Sequence, residues 1–151
     1  MAPASVLLVQ SIGDDREMYA EFLRIHALDV RLADTADEAF VRGMHADVVV
    51  TEIRIHGTFD GYELIRRLRR NQWTARKAIV ALTACAFDSD RRAAQQAGCD
   101  VFLAKPCLPD TLLAVVRRLL RRSQLLRGFI GSRERVAKVL LRLDRRSKKR
   151  S

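Results

Sequence analysis

Four short apolar runs in this chain end on polar residues whose types could build a site. Val6-Leu-Leu-Val9 runs into Gln10-Ser11, Val48-Val-Val-Thr51 into Glu52, Ile79-Val-Ala-Leu82 into Thr83-Ala84, and Val101-Phe-Leu-Ala104 into Lys105-Pro106. In an open parallel α/β sheet the ligand site lies at the carboxyl ends of the strands, so residues that end successive strands meet there however far apart they are in sequence. Glu52, Thr83 and Lys105 are therefore expected to share a pocket with Gln10 and Ser11. A carboxylate beside an ammonium is either a nucleophile held by a cation or one half of an ion pair.

The segments between these runs must position them. Strand-length β-branched runs alternate with longer stretches that carry apolar residues at helical spacing, which reads as repeated βα units. Asp14 or Asp15 is expected to cap a helix with Met18, Phe22 and Ile25 inward. Val30–Ala33 is a second strand, and Thr35 caps the helix after it. The Val48-Val-Val run is apolar on both faces, as befits a central strand between two helical layers. Gly61 opens a helix with Leu64, Ile65 and Leu68 inward and Arg66, Arg67, Arg69 and Arg70 on a solvated face. Lys77–Thr83 forms the fourth strand, Asp90–Ala97 a helix closed by Gly98, and Pro109-Asp110 starts a last helix. Gly128-Phe-Ile-Gly131 is expected to break that helix, with Ser132 capping a further short one and Arg145–Arg150 disordered.

Over residues 5–122 the order of these motifs resembles the receiver domain of two-component response regulators. That pattern has an acidic pair after the first strand, an Asp phosphoacceptor after the third, Thr or Ser followed by Ala after the fourth and Lys-Pro after the fifth. The loop Arg54-Ile-His-Gly-Thr-Phe-Asp-Gly61 and the run Ala97-Gly-Cys-Asp100 before Phe102 are also similar. The resemblance implies a doubly wound, flavodoxin-like (βα)5 sheet of strand order 2-1-3-4-5, here followed by a basic C-terminal helix over 123–151.

It also implies a phosphoryl pocket that has lost two of its parts. In the family an Asp takes a phosphoryl group, and positioning and charge neutralisation dominate the chemistry. Mg²⁺ supplies much of that neutralisation, bound by one or two carboxylates. Gln10 and Ser11 stand where the acidic pair belongs and are weak ligands for a hard cation, so Mg²⁺ binding is expected to be lost. Glu52 stands at the phosphoacceptor position. Three readings stay open for it: a displaced nucleophile, a partial phosphate mimic of charge −1, or an ion pair with Lys105 that fixes the loops. In the family the Thr moves towards the phosphoryl group and an aromatic at the position of Phe102 turns inward, reshaping the face made by the fourth and fifth helices. Phe102 has no hydroxyl to leave unpaired there.

Composition bounds the rest. The chain has 151 residues, 48% hydrophobic and 30% charged, with no apolar run near the roughly 20 residues of a membrane span. Its start has no basic flank and no long apolar segment, which points to a cytoplasmic protein. Cys85, Cys99 and Cys107 form no CxxC pair and His26, His45 and His56 lack metal-ligand spacing, so no metal site is expected. Residues 1–116 carry 14 Lys+Arg against 16 Asp+Glu, whereas residues 117–151 carry 14 against 2. The basicity belongs to the tail, which suits non-specific contact with nucleic acid or an anionic membrane. A tail of this length cannot hold a helix-turn-helix domain. Together with these features, the resemblance implies a non-enzymatic, phosphorylation-independent interaction module that docks a histidine kinase, another response regulator or its own copy. The alternatives are a still-phosphorylatable single-domain regulator, in which Asp14 or Asp15 would bind Mg²⁺ in place of the missing acidic pair, and an adaptor that works through its tail.

Overall fold

The computed structural model describes residues 2–11 and 13–148. Five strands, β1 (Ser5–Val9), β2 (Asp29–Ala33), β3 (Val48–Thr51), β4 (Ala78–Thr83) and β5 (Val101–Ala104), form one parallel sheet in the order β2-β1-β3-β4-β5. The helices are α1 (Asp14–Ile25), α2 (Ala36–Arg42), α3 (Gly61–Arg70), α4 (Asp88–Ala97) and α5 (Pro109–Lys148), with a 3-10 turn over Gly43–His45. The chain divides into two compact units, Met1–Leu120 and Arg121–Ser151.

Side chains alternate between the faces of a strand, and because the inner strands β1, β3 and β4 are apolar on both faces over most of their length, each face receives a helical layer. Leu7, Val9, Val49, Ile79 and Ala81 pack with Ala36, Ala39, Leu64, Ile65, Leu68 and Ala94 on one face. Val6, Leu8, Val50, Val80 and Leu82 pack with Tyr19, Leu23, Leu112, Val116 and Leu119 on the other. The inward residues of α1 are thus Tyr19, Ala20 and Leu23, while Met18 and Ile25 are exposed, which shifts the buried stripe by one position from the expected one. Tyr19 fixes that rotation, because its hydroxyl donates to the Cys107 carbonyl at 2.6 Å and so faces α5 and its loop. Burial raises the Tyr19 pKa, so the phenol remains a donor.

Thr35 caps α2 as expected, its Oγ1 accepting from Glu38 N at 3.2 Å. Thr35→Ala is expected to cost about 1 kcal/mol, read as a lowered denaturant midpoint with unchanged slope. At α1 the expectation fails: the capping position is Gly13, with no side-chain cap. Arg69 also departs from the solvated face assigned to it. Its guanidinium donates to the carbonyls of Gly98, Ala75 and Lys77 at 2.8, 3.0 and 2.6 Å and pairs with Asp100 at 2.9 Å, tying α3 to the turn after α4. That turn contains Gly98 at φ 117°, a left-handed helix end that favours glycine.

The expected break at Gly128–Gly131 is absent, and α5 runs from Pro109 to Lys148. Glycine inside a helix costs only about 1 kcal/mol relative to Ala, and the flanking Leu, Arg, Lys and Ala are strong helix formers. No cap at Ser132 is needed, and residues 145–148, expected to be disordered, are helical. Residues 149–151 lie outside the described chain.

Candidate functional site

Strand register brings the predicted residues together. Val9 pairs with Thr51 and Thr51 with Ala81, while Thr83 pairs with Ala104. The ladder continues one residue past the strands: Gln10 N donates to Ala33 O at 3.2 Å, Glu52 N to Val9 O at 2.9 Å and Lys105 N to Thr83 O at 2.8 Å. Each pocket residue therefore has its backbone fixed by the end of the neighbouring strand, and only its side chain is left to choose a direction. The Lys105-Pro106 peptide that follows β5 is cis.

Lys105 is the hub. Its Nζ donates to Gln10 Oε1 at 2.7 Å and to Asp15 Oδ2 at 2.6 Å, and lies 3.5 Å from Glu52 Oε2. The Lys105 side chain is 17% exposed and Glu52 is 13% exposed, so this pairing is largely shielded from solvent. Gln10 is buried and its amide nitrogen donates to Leu82 O at 3.4 Å, which orients its oxygen towards the ammonium. The other Glu52 oxygen accepts from Ile53 N at 2.8 Å, holding the carboxylate against its own loop.

Asp15 is the residue that sequence reasoning misplaced. Asp14 or Asp15 is expected to cap α1, yet Asp15 reaches into the pocket, and the hydrogen bond from Lys105 holds its carboxyl below the usual carboxylate range despite partial burial. The available signal was the acidic pair Asp14-Asp15 close behind Gln10-Ser11, opposite a pocket whose cation needed a partner. The Asp14 side chain lies outside the described residues. With Asp15 included, the formal charge of the Asp15, Glu52 and Lys105 group is −1, rather than the zero that follows from Glu52 and Lys105 alone.

The remaining predicted residues are placed as follows. Thr83 is buried and its Oγ1 accepts from Cys85 N at 3.0 Å, so the hydroxyl oxygen is engaged by the loop after β4. Ser11 is partly exposed next to Gln10. Phe102 is buried, with the Arg91 guanidinium 4.8 Å from its ring centroid. Close by, the Tyr62 hydroxyl donates to Asp90 at 3.1 Å, joining α3 to α4, and burial together with that carboxylate pushes its pKa up to about 12. The loop after Glu52 is tied to α2, where Ala36 N donates to His56 O and Thr58 donates through both N and Oγ1 to Asp37.

This donor set suits an ammonium better than Mg²⁺. Mg²⁺ demands near-octahedral oxygen ligation at roughly 2.1 Å. Here Gln10, Asp15 and Glu52 all direct an oxygen at Lys105, and an ion drawn to those oxygens would meet the ammonium. Among the described residues no group of three or more His, Cys, Asp or Glu is placed to hold a metal.

Comparison with known proteins agrees with the fold and the order of the motifs. The response regulator receiver domain model matches residues 6–117. Response regulator Rre1 of Synechocystis is 38% identical over 125 residues, covering 81% of this chain and 54% of that protein. The transcriptional regulatory protein GltR of Pseudomonas aeruginosa is 31% identical, covering 80% and 50%. The chain spans about half the length of the curated relatives it matches. Among solved structures, the receiver domain of sensor histidine kinase PA1611 from Pseudomonas aeruginosa, determined with magnesium in its active-site cleft, is 28% identical, with TM-score 0.72 over 79% of this chain and 98% of that one. A two-component response regulator from Clostridium difficile is 26% identical, with TM-score 0.72 over 80% and 98%. With the strand order, the Thr83 and Lys105 strand ends and the match over most of its length in agreement, this chain belongs to the receiver domain family of two-component response regulators.

Proposed function

We propose that this receiver domain is a phosphorylation-independent interaction module in two-component signalling, with Lys105 supplying the positive charge that Mg²⁺ supplies elsewhere. The observation that carries the reading is the convergence of Gln10, Asp15 and Glu52 on the Lys105 ammonium. A carboxylate held by a backbone N–H and facing a lysine is a poor nucleophile without a metal to gather the donor's charge. Glu52 acts instead as a fixed anion that locks the loops after β1, β3 and β5, and Phe102 is already in its inward, buried place. The face of α4, β5 and the start of α5 then stands in one signal-independent state for a histidine kinase, another regulator or a second copy to dock on.

Incubation with acetyl phosphate, with and without Mg²⁺, followed by intact mass measurement, tests this. The expected result is no mass gain under conditions that label a conventional receiver domain in parallel. Glu52→Asp alone is also expected to stay unlabelled, because Gln10, Ser11 and the Lys105 pairing remain. A Mg²⁺-dependent gain of one base-labile phosphoryl group in the unaltered protein would return it to the phosphorelay.

A further inference from the structure

The second compact unit carries all of the chain's excess charge. Residues 121–151 hold 12 Lys+Arg against 2 Asp+Glu, which equals the +10 of the whole chain, while residues 1–120 hold 16 of each. In this unit Leu125, Leu126, Val136, Val139, Leu140 and Leu141 are large aliphatic side chains, each between 53% and 75% exposed. At roughly 100° per residue they fall in an arc of about 200° on the helix. Arg127, Arg135, Lys138 and Arg142 fall in an arc of about 80°, centred about 180° away. From Leu125 to Arg142 the helix is thus amphipathic, with an apolar stripe on one side and a cationic face on the other, while Arg121 and Arg122 precede that stretch on the apolar side.

We propose that this C-terminal part of α5 is an interfacial helix that binds a bilayer rich in anionic phospholipid. A helix lying in the plane of the membrane buries its apolar stripe among acyl chains and keeps its basic face among phosphates. Both features are used together, which neither other occupant does. Phosphate backbones of nucleic acid need the charge and leave the aliphatic stripe in water. A second copy would cover the stripe, but it would bring two strongly cationic helices side by side. It would also enclose Arg133, which lies one heptad from both Leu126 and Leu140 on the same face. On a membrane that arginine extends to the phosphate layer while its stem stays with the stripe. Gly128 and Gly131 add to the case, because a Cβ at either would meet nothing within 4 Å, so no packing requires them. They lower the intrinsic helix propensity of a segment that a lipid surface would then reinforce.

Flotation of the full chain with phosphatidylcholine vesicles, and with vesicles of equal parts phosphatidylcholine and phosphatidylglycerol, tests the proposal. Flotation is expected with the anionic vesicles only. Val139→Asn with Leu140→Asn should weaken it at least about tenfold. Arg135→Gln, Lys138→Gln and Arg142→Gln together should weaken it as much and flatten its salt dependence. These side chains are exposed, so thermal unfolding followed at Trp73 should be unchanged in both variants. Absence of flotation overturns the proposal, as does flotation that the apolar pair leaves intact. A salt-dependent complex with duplex DNA in place of vesicle binding would assign the face to nucleic acid. A dimer abolished by the apolar pair, with no vesicle binding, would assign it to a second copy. Each result is independent of the phosphodonor experiment.

Discussion

Replacing Lys105 by Met is expected to destabilise the receiver unit by about 3 kcal/mol, a loss of roughly 10 °C in melting temperature for a unit of this size. Removing one partner of a shielded ion pair leaves the other charge uncompensated, and here two carboxylates and a buried amide lose the same partner at once. Glu52 would keep only its bond from Ile53 N, and the Gln10 oxygen would be a buried acceptor with no donor from Lys105. The sign of the pH dependence follows from Asp15, whose carboxyl titrates below its usual range because of Lys105. A depressed pKa contributes stability above the ordinary carboxylate value, and that stability is lost as pH falls through the folded-state value. The gap between the unaltered protein and Lys105→Met should therefore be full near neutral pH and narrow in acid below about pH 4. Thermal melts of both proteins across this range measure it. A melting temperature within a degree or so of the parent at neutral pH would mean that Lys105 is a solvated side chain and that the pocket has no internal cation.

Gly61→Ala is expected to cost a similar amount, about 2–3 kcal/mol, for a steric reason that also concerns the site. A Cβ at Gly61 would lie 2.7 Å from Ile53 Cα and 2.8 Å from Ile53 O, and it would also press on the Glu52 carbonyl. These are backbone atoms in the loop that carries Glu52, and that loop is held by the bond from Gly61 N to Ile53 O at 2.8 Å. It cannot yield by a rotamer change, so either α3 moves out or the Glu52 loop is displaced. Gly128→Ala provides the contrast, since open space surrounds that position and the substitution should leave stability unchanged or slightly raise it. Chemical denaturation of the two variants side by side separates the cases. Equal midpoints would show that the Gly61 contact is soft and that the loop after β3 adapts.

Much of the receiver unit was legible in the sequence, because its signals are local. Apolar runs of strand length, the Thr35 cap, the Gly98 helix end and the Pro109 start each report a backbone preference that needs no distant partner. The same patterns mark which residues end the strands, and parallel register then brings those strand ends to one edge of the sheet, where Gln10 and Glu52 meet Lys105. A tertiary contact was needed wherever a side chain had two uses. Asp15 could cap or pair, and the Lys105 ammonium decided for pairing. Arg69 could face solvent or satisfy carbonyls, and the turn at Gly98 supplied the carbonyls. The rotation of α1 was settled by a tyrosine hydroxyl reaching a carbonyl in the loop before α5. Each glycine of α5 taken singly disfavours a helix, whereas a helix forms on the sum over its turns, and the flanking helix formers carry α5 through. The order of the elements and which residues end the strands follow from the chain's residues alone, because both rest on periodicity and on where the apolar runs stop, whereas the entry of Asp15 into the pocket does not. Which oxygens take the lysine is a property of the folded chain, because that choice depends on distances between residues up to 95 positions apart.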